Sequence, residues 1–181
     1  MSAPESNSQF TTLLQAQVRH EFTASQQYIA IAVWFDARDL PRLAAHFYAQ
    51  AVEERNHAMM IIQWMLDRDL PVAIPGVDEV ENNFTTITEP IALALSQEKQ
   101  VTDQIKALFA TARAENDFLG EQFMLWFLKE QVEEIASMRT LLTIAERAGH
   151  DWFDVETYLA REEGGADGTE SDAPAAAGGA L

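Results

Sequence analysis

Glutamates interrupt four apolar seams in this chain, and a histidine accompanies one of them. Along each seam, apolar residues recur every three or four positions, which is the spacing of one helix face. The interrupting residues are Glu21, Glu54, Glu98 and Glu134, and His57 follows three residues after Glu54. Residues three apart on a helix are neighbours, so Glu54 and His57 can reach one site.

Four inward carboxylates at similar depth repel one another and lose their hydration, which costs on the order of several kcal/mol per ion unless they are neutralised. No lysine or arginine occupies the four seams. Metal cations are therefore the expected neutraliser, and a carboxylate-rich site with one imidazole suits Fe²⁺ or Mn²⁺ and tolerates Zn²⁺. Iron is the leading candidate. The alternative from a different class is a structural or adaptor bundle in which the glutamates stay protonated.

A second group of acids lies beside the first. Glu53 precedes Glu54, while Glu130, Glu133 and Glu134 are spaced so that they converge on one side of their helix. Together they are expected to hold a third metal or to relay ions from the two-metal site. A solvated helix face is the plain alternative.

Aromatic residues stand near these acids. Tyr28 lies two helical turns beyond Glu21, as a redox-active or hydrogen-bonding neighbour or simply as a core tyrosine with a satisfied hydroxyl. Trp126, four residues before Glu130, leaves the same two interpretations open.

Long segments almost free of Gly and Pro must position these residues. We expect helices from Ser8 to Arg38, from Pro41 (capped by Asp39) to Arg68, from Thr88 to Asn116 and from Asp117 to Gly149. Each is roughly 45 Å long at about 1.5 Å per residue, which is typical of a bundle. Short connections make two antiparallel hairpins, whereas residues 69–87 are long enough to travel the length of the bundle.

The fold class expected is therefore all-α: a ferritin-like four-helix bundle with one long crossover plus a short C-terminal fifth helix. The fifth helix, over residues 151–161, has an apolar side without a partner in the bundle. Packing against other subunits is expected for it, with a helix resting on its own bundle as the alternative.

Composition limits the classes of function. Acids outnumber bases by 29 to 12, a net charge of −17, which argues against binding nucleic acid or an anionic membrane. The absence of cysteine excludes disulfides and thiolate metal sites. With no signal peptide and no bilayer-spanning run, a cytoplasmic location is expected.

We expect a flexible N-terminus over 1–7, one domain over 8–161, and a disordered acidic Gly/Ala-rich tail over 162–181 that docks the protein into a larger compartment.

The residues around these acids resemble the bacterial non-haem ferritins over about 8–161. The matching stretches are HEFTA at 20–24, AVEERNHA at 51–58 and KEQVEE at 129–134. The resemblance implies a ferroxidase centre and a third iron site. It assigns Glu21, Glu54 and His57 to the first iron, Glu54, Glu98 and Gln131 or Glu134 to the second, and Glu53, Glu130, Glu133 and Glu134 to the third. Tyr28 and Trp126 match aromatic residues near that centre.

Departures from the related bacterioferritins concern haem and the second histidine. Bacterioferritins repeat the Glu-x-x-His pair on helix four and carry a haem-ligating Met after the helix-two Glu, whereas this chain has Gln131, Glu134 and Arg55 there. No haem is expected from that motif. A haem-containing bacterioferritin and a catalytic di-metal oxidase or oxygenase remain the alternatives.

The resemblance also implies an assembly and its substrates. It predicts a homo-oligomer of 24 subunits that oxidises Fe²⁺ with O₂ or H₂O₂ and stores ferric mineral inside. Glu121 matches by position an acid that lines the threefold pores.

Overall fold

Five helices make up the fold of the residues that the computed structural model describes, which are 8–162 and 172–181. No strand occurs within those two ranges. The helices are α1 (Gln9–Asp36), α2 (Pro41–Asp67), α3 (Thr88–Ala114), α4 (Phe118–Ala148) and α5 (Trp152–Glu162). The expected all-α bundle with one long crossover and a short fifth helix is confirmed.

The helix ends follow from local chemistry, with one exception. The side chain of Ser8 accepts a hydrogen bond from the Thr11 amide at the start of α1, and Asp117 accepts one from the Gly120 amide at the start of α4. After α4, Gly149 takes a positive φ of 59°. The expectation that Asp39 caps α2 is wrong: Asp39 has a φ of 57°, and the residue before Pro41 that flanks the helix is Leu40.

Packing separates the core into two apolar clusters along the bundle. α1 and α2 form one antiparallel hairpin and α3 and α4 the other. One cluster surrounds Tyr28, Phe35 and Phe47, and the other surrounds Phe10 and Phe127. The inward acids lie between the two clusters. Each cluster excludes water from one side of that polar layer.

The crossover lies along α1 and is held there by side-chain amides. Gln15 donates to the Ala73 carbonyl and accepts from the Ala73 amide, at 2.6 and 2.9 Å. Gln27 makes the same two-way contact with the backbone of Glu81, at 2.7 and 2.8 Å. These two side-chain amides supply hydrogen bonds to the crossover backbone that a helix would otherwise make internally. They hold this long connection in place.

α5 rests on its own bundle, which corrects the expectation that its apolar side has no partner there, whereas packing of α5 against other subunits stays a prediction. Val155 and Leu159 are buried against the cluster around Tyr28. The Glu156 carboxylate accepts from the backbone amides of Arg42 and Leu43, at 2.9 and 2.8 Å, in the first turn of α2. These amides lack helical acceptors, which is why an acid there is favourable.

The last ten residues also contact the bundle. The Ala177 amide donates to the Met59 carbonyl at 3.0 Å, and Asp172 lies 3.7 Å from Lys129. The disordered tail expected over 162–181 and the flexible N-terminus expected over 1–7 stay predictions, and residues 163–171 and 1–7 lie outside the described residues. A docking role of the tail stays a prediction. None of the helices described is long and apolar enough to cross a membrane.

Gly120, in the first turn of α4, lies directly beneath the ring of Phe10. A Cβ on Gly120 would lie 2.5 Å from Phe10 Cε1 and 2.9 Å from Asp117 Oδ2. We expect Gly120→Ala to lower the free energy of unfolding by about 1 to 3 kcal/mol, because overpacking outweighs the gain in helix propensity. Denaturant unfolding midpoints measure the change. Gly76→Ala is the control, since no heavy atom lies within 4 Å of its Cβ; equal effects of the two variants would contradict the prediction.

Candidate metal centre

A layer of polar side chains crosses the middle of the bundle, between the two apolar clusters. Each helix of the bundle contributes to it, and each member is at most 6% exposed. The members of this polar layer are Glu21, Glu54, His57, Glu98, Glu130, Gln131 and Glu134. The fold thus brings the four seam glutamates to one depth, as their spacing predicts.

Glu21, Glu54 and His57 form one close group in this layer. One ligand atom from each lies within 4.8 Å of those of the other two, and His57 Nδ1 is 3.6 Å from Glu54 Oε2. Among the described residues, no amide or hydroxyl donates to either oxygen of Glu54 or to Oε2 of Glu21, and only a protonated Glu21 carboxyl can donate to Glu54. A buried carboxylate without donors is costly in water-free surroundings, so these oxygens fit a cation.

The other oxygen of Glu21 is held by a neighbour on the same helix. Gln17, itself buried, donates from Nε2 to Glu21 Oε1 at 2.8 Å. The bond fixes the carboxylate so that Oε2 faces the cluster. The rings of Trp126 and Phe127 pack edgewise on His57, with centroids 5.6 and 5.7 Å away, and fix the imidazole in turn.

Glu98 and Gln131 form a hydrogen-bonded pair on the opposite side of the layer. The Tyr28 hydroxyl donates to Glu98 Oε1, and Gln131 Nε2 donates to Glu98 Oε2 at 3.4 Å. Thr102 donates from Oγ1 to Gln131 Oε1 at 2.7 Å. Tyr28 is thus in direct hydrogen-bonding contact with the layer, as one of its two sequence interpretations predicts.

Burial is the main cause of the shifted pKa values in this layer. It raises the pKa of Glu21 and of Glu54 well above the usual range, and the charge of the other acids nearby adds to both shifts. Burial likewise raises the pKa of Glu98, although hydrogen bonds from Tyr28 and Gln131 oppose the shift. Burial and the charge of Glu53 raise the pKa of Glu134 to about 9. Without a cation, the layer therefore retains protons at neutral pH.

Glu53 and Glu130, of the second group of acids, lie together with His57, whereas the part of Glu133 and Glu134 in a third metal position stays a prediction. Glu53, His57 and Glu130 have ligand atoms within 4.8 Å of one another, and Gln50 Nε2 donates to Glu53 Oε2 at 2.7 Å. Glu133 lies on the exposed face of α4 and belongs to neither group. Glu130 and Glu134, four residues apart on α4, point inward, whereas Glu133, three residues after Glu130, points outward. His57 belongs to both groups.

Glu121 lies away from the layer, near the start of α4. Its Oε1 is 2.5 Å from Arg113 Nη2 at the end of α3, and this ion pair lowers the pKa of Glu121. A pore role for Glu121 stays a prediction.

Two supporting residues are missed by reasoning from the sequence alone. Gln17 and Thr102 interrupt the apolar seams of α1 and α3, yet their amide and hydroxyl carry no charge that marks them as ligands. Their signal is their position, four residues before Glu21 and four after Glu98, which places each on the same face as its glutamate.

The class of ferritin-like four-helix bundles is defined by an all-α bundle with one long crossover, and this chain has that topology, with glutamates and a histidine from its four helices in one buried layer. The family model described as "Ferritin-like domain" matches residues 11–148. The chain belongs to the ferritin family, and its resemblance to the bacterial non-haem ferritins is confirmed at that level.

Relatives with close sequence similarity carry two kinds of name. "Ferritin BfrB" of Mycolicibacterium smegmatis is 62% identical over 175 residues, covering 97% of this chain and 96% of the relative. "Bacterioferritin BfrB" of Mycobacterium tuberculosis H37Rv is 60% identical and covers 95% and 94% of the two chains. A "Bacterial non-heme ferritin" of Staphylococcus aureus MRSA252 is 35% identical, covering 76% of this chain and 83% of the relative. An open pore ferritin from the archaeon Archaeoglobus fulgidus has a similar solved structure, with a TM-score of 0.81 at 25% identity, covering 88% and 97%.

The raised pKa of Glu134 predicts how the metal-free protein responds to pH. Its carboxyl stays protonated in the folded state up to about pH 9, whereas the unfolded chain loses this proton near pH 4 to 5. The folded protein thus binds more protons than the unfolded chain does. The contribution of Glu134 to the free energy of unfolding therefore declines as pH rises between those two values, by up to about 1.4 kcal/mol per pH unit.

Replacing Glu134 by Gln removes this proton difference. We expect chelator-treated Glu134→Gln protein to lose less stability than wild type between pH 6 and pH 8, measured by denaturant unfolding at fixed protein concentration. Glu146→Gln, on the exposed face of α4, is the matched control. Parallel pH profiles for Glu134→Gln and wild type would refute the prediction.

Proposed function

We propose that this chain is an iron-storage ferritin that oxidises Fe²⁺ at a centre within the subunit. The observation that carries the proposal is the buried group of Glu21, Glu54 and His57, in which no amide or hydroxyl of the described residues donates to Glu54. Membership of the ferritin family supports the storage function. Iron is here the substrate and the cargo, and the donor set of carboxylates and one imidazole suits it.

Each residue of the layer has a role in binding the substrate. Glu21 and His57 bind one Fe²⁺, and Glu98 and either Gln131 or Glu134 bind the other. Glu54 bridges the two, because no amide or hydroxyl of the described residues holds either of its oxygens. Anionic oxygen ligands stabilise the higher charge of Fe³⁺, which favours oxidation. Each Fe²⁺ gives one electron, so two Fe²⁺ and two protons reduce one O₂ to H₂O₂.

Protons for this reaction are held close to the centre. The carboxyls of the layer retain protons while it is empty, because burial raises their pKa values. Cation binding releases these protons, and they are then available to the oxidant. The Tyr28 hydroxyl keeps Glu98 oriented during the exchange.

Glu53, His57 and Glu130 support a further step, in which iron leaves the centre. Glu53 is half-buried, whereas Glu130 is buried, so the group connects the layer to a more accessible surface. We assign it as a third position through which iron passes toward the mineral. Glu133 is exposed on the same helix, and we do not assign it to this third position.

Assembly into a cage completes the proposed storage function. Four large apolar side chains on α1 and α2 are 38 to 52% exposed in the single subunit, namely Ile29, Val33, Tyr48 and Val52. Their spacing of four on each helix makes two adjoining strips, and such patches mark contacts between proteins. We place a contact between subunits of the homo-oligomer on this surface and retain 24 as the subunit number.

Replacing Glu54 tests the proposed reaction. Glu54→Gln keeps the shape of the side chain and loses the bridging charge, so we expect the rate of Fe²⁺ oxidation to fall at least about 10- to 100-fold. Absorbance near 300 nm after air is admitted to an anaerobic Fe²⁺ mixture gives the rate, and light scattering gives the size. Glu146→Gln is the matched control. Fast oxidation by an intact Glu54→Gln assembly would exclude this centre.

A haem-containing bacterioferritin is the second candidate, because one close relative carries the name bacterioferritin. In this chain Arg55 follows Glu54, and an arginine is no haem ligand. We therefore expect purified protein, expressed with haem supplied, to lack a Soret absorption band. A stoichiometric Soret band would favour the second candidate. A catalytic di-metal oxidase or oxygenase would instead retain its two irons through turnover and form no mineral.

A further inference from the structure

Thr102 gives the Gln131 amide a partner that can both donate and accept hydrogen bonds. Gln131 is 3% exposed, so both ends of its amide need partners inside the protein. Its Oε1 accepts from Thr102 Oγ1 at 2.7 Å, and its Nε2 donates to Glu98 Oε2 at 3.4 Å. Thr102 Oγ1 is also 2.8 Å from the Glu98 backbone carbonyl, four residues earlier on α3.

This orientation is unsuited to binding a cation at the second position. Gln131 directs an N–H toward the Glu98 carboxylate, and an amide nitrogen has no lone pair to offer. The same N–H donates a hydrogen bond to Glu98 Oε2, while the Tyr28 hydroxyl donates one to Glu98 Oε1. The oxygens of Gln131 and Glu98 therefore all accept hydrogen bonds in the metal-free protein. Neither side chain directs an oxygen without a hydrogen bond at the position between them.

We propose that Thr102 is a positioning residue that lets the Gln131 amide turn by half a revolution when the second cation binds. After the turn, Gln131 Nε2 donates to Thr102 Oγ1, and the Thr102 hydroxyl rotates so that its O–H donates to the Glu98 backbone carbonyl. Gln131 Oε1 and Glu98 Oε2 then both face the cation. The inference rests on the proposed function and concerns its second cation position.

A hydroxyl is suited to this role because it accepts one hydrogen bond while it donates another. A carbonyl or an N–H group at residue 102 would stabilise one orientation of the amide alone. Valine has the shape of threonine but neither donates nor accepts. With Thr102→Val, the metal-free orientation loses the bond to Gln131 Oε1 but keeps the bond from Nε2 to Glu98, and the turned amide leaves Nε2 facing a methyl group. A buried N–H without an acceptor is tolerated less than a carbonyl oxygen without a donor. Valine therefore favours the metal-free orientation.

The test measures cation binding rather than oxidation. Metal-free, assembled, full-length protein is titrated with Co²⁺ without oxygen, followed by calorimetry and visible absorption. Gln131→Leu, which removes the ligand, identifies the binding step that uses this position. We expect Thr102→Val to weaken that step by about 5- to 10-fold, the effect of one hydrogen bond. The step that uses Glu21, Glu54 and His57 keeps its affinity.

Two variants separate positioning from a general structural effect. Thr102→Ser restores the hydroxyl and should return the affinity of the step to within about twofold of wild type. Thr111→Val is the matched control on α3, because the Thr111 hydroxyl donates to the Ala107 carbonyl as Thr102 does to that of Glu98, but lies away from the layer. If Thr102→Val does not assemble, Thr102→Ala removes the hydroxyl and must weaken the same step.

Failure of the inference differs from failure of the proposed function. If Gln131→Leu weakens no binding step, Gln131 is not a ligand and the inference alone is overturned, because Glu134 can serve the second position. If the wild-type protein shows no second binding step at all, the second cation position is overturned and the inference with it. A wild-type protein that has this step, unshifted by loss of the Thr102 hydroxyl, overturns the inference alone. Equal weakening of every step, or equal weakening by Thr102→Ser, also overturns it.

Discussion

Burial of several carboxylates in one layer is the constraint on which the rest of this structure depends. Glu21, Glu54, Glu98 and Glu134 raise one another's pKa values, because each is removed from water and close to the others. The free energy that offsets this cost comes from the apolar clusters on either side. Helices as long as 27 to 31 residues are needed because each must contribute to both clusters and to the layer between them.

Hydrogen bonds within the layer are distributed unevenly, and the distribution determines where a cation binds. Glu21 accepts one bond from Gln17, and Glu98 accepts bonds from Tyr28 and Gln131. Glu54, between them, accepts none from an amide or hydroxyl of the described residues. Donors at the two outer carboxylates fix their orientation, whereas the central carboxylate is left for the cations of the proposed function. A layer built for stability alone would supply donors to Glu54 as well.

Most of the fold and the centre could be predicted from the sequence, because helical periodicity reports which residues share a face. Spacing alone could not decide between Glu133 and Glu130, since offsets of three and four both belong to a broad helix face, and only packing leaves Glu133 exposed. Residues 172–181 have no periodicity from which their contact with α2 and α4 could be inferred. Gln17 and Thr102 contribute through the direction of their hydrogen bonds, and helical spacing does not report that direction.

Stability and cation affinity are two aspects of one free energy in this layer. Protons retained at neutral pH must leave when cations bind, so affinity rises with pH over the same interval in which the metal-free fold loses stability. The cation then returns the stability that ionisation removes, which couples binding to the integrity of the bundle. Under the proposed function the centre must also release its cargo, which needs a limit on that affinity. We attribute that limit to the neutral Gln131, where a fifth glutamate would fit the pattern, and to the half-buried Glu53 beside His57.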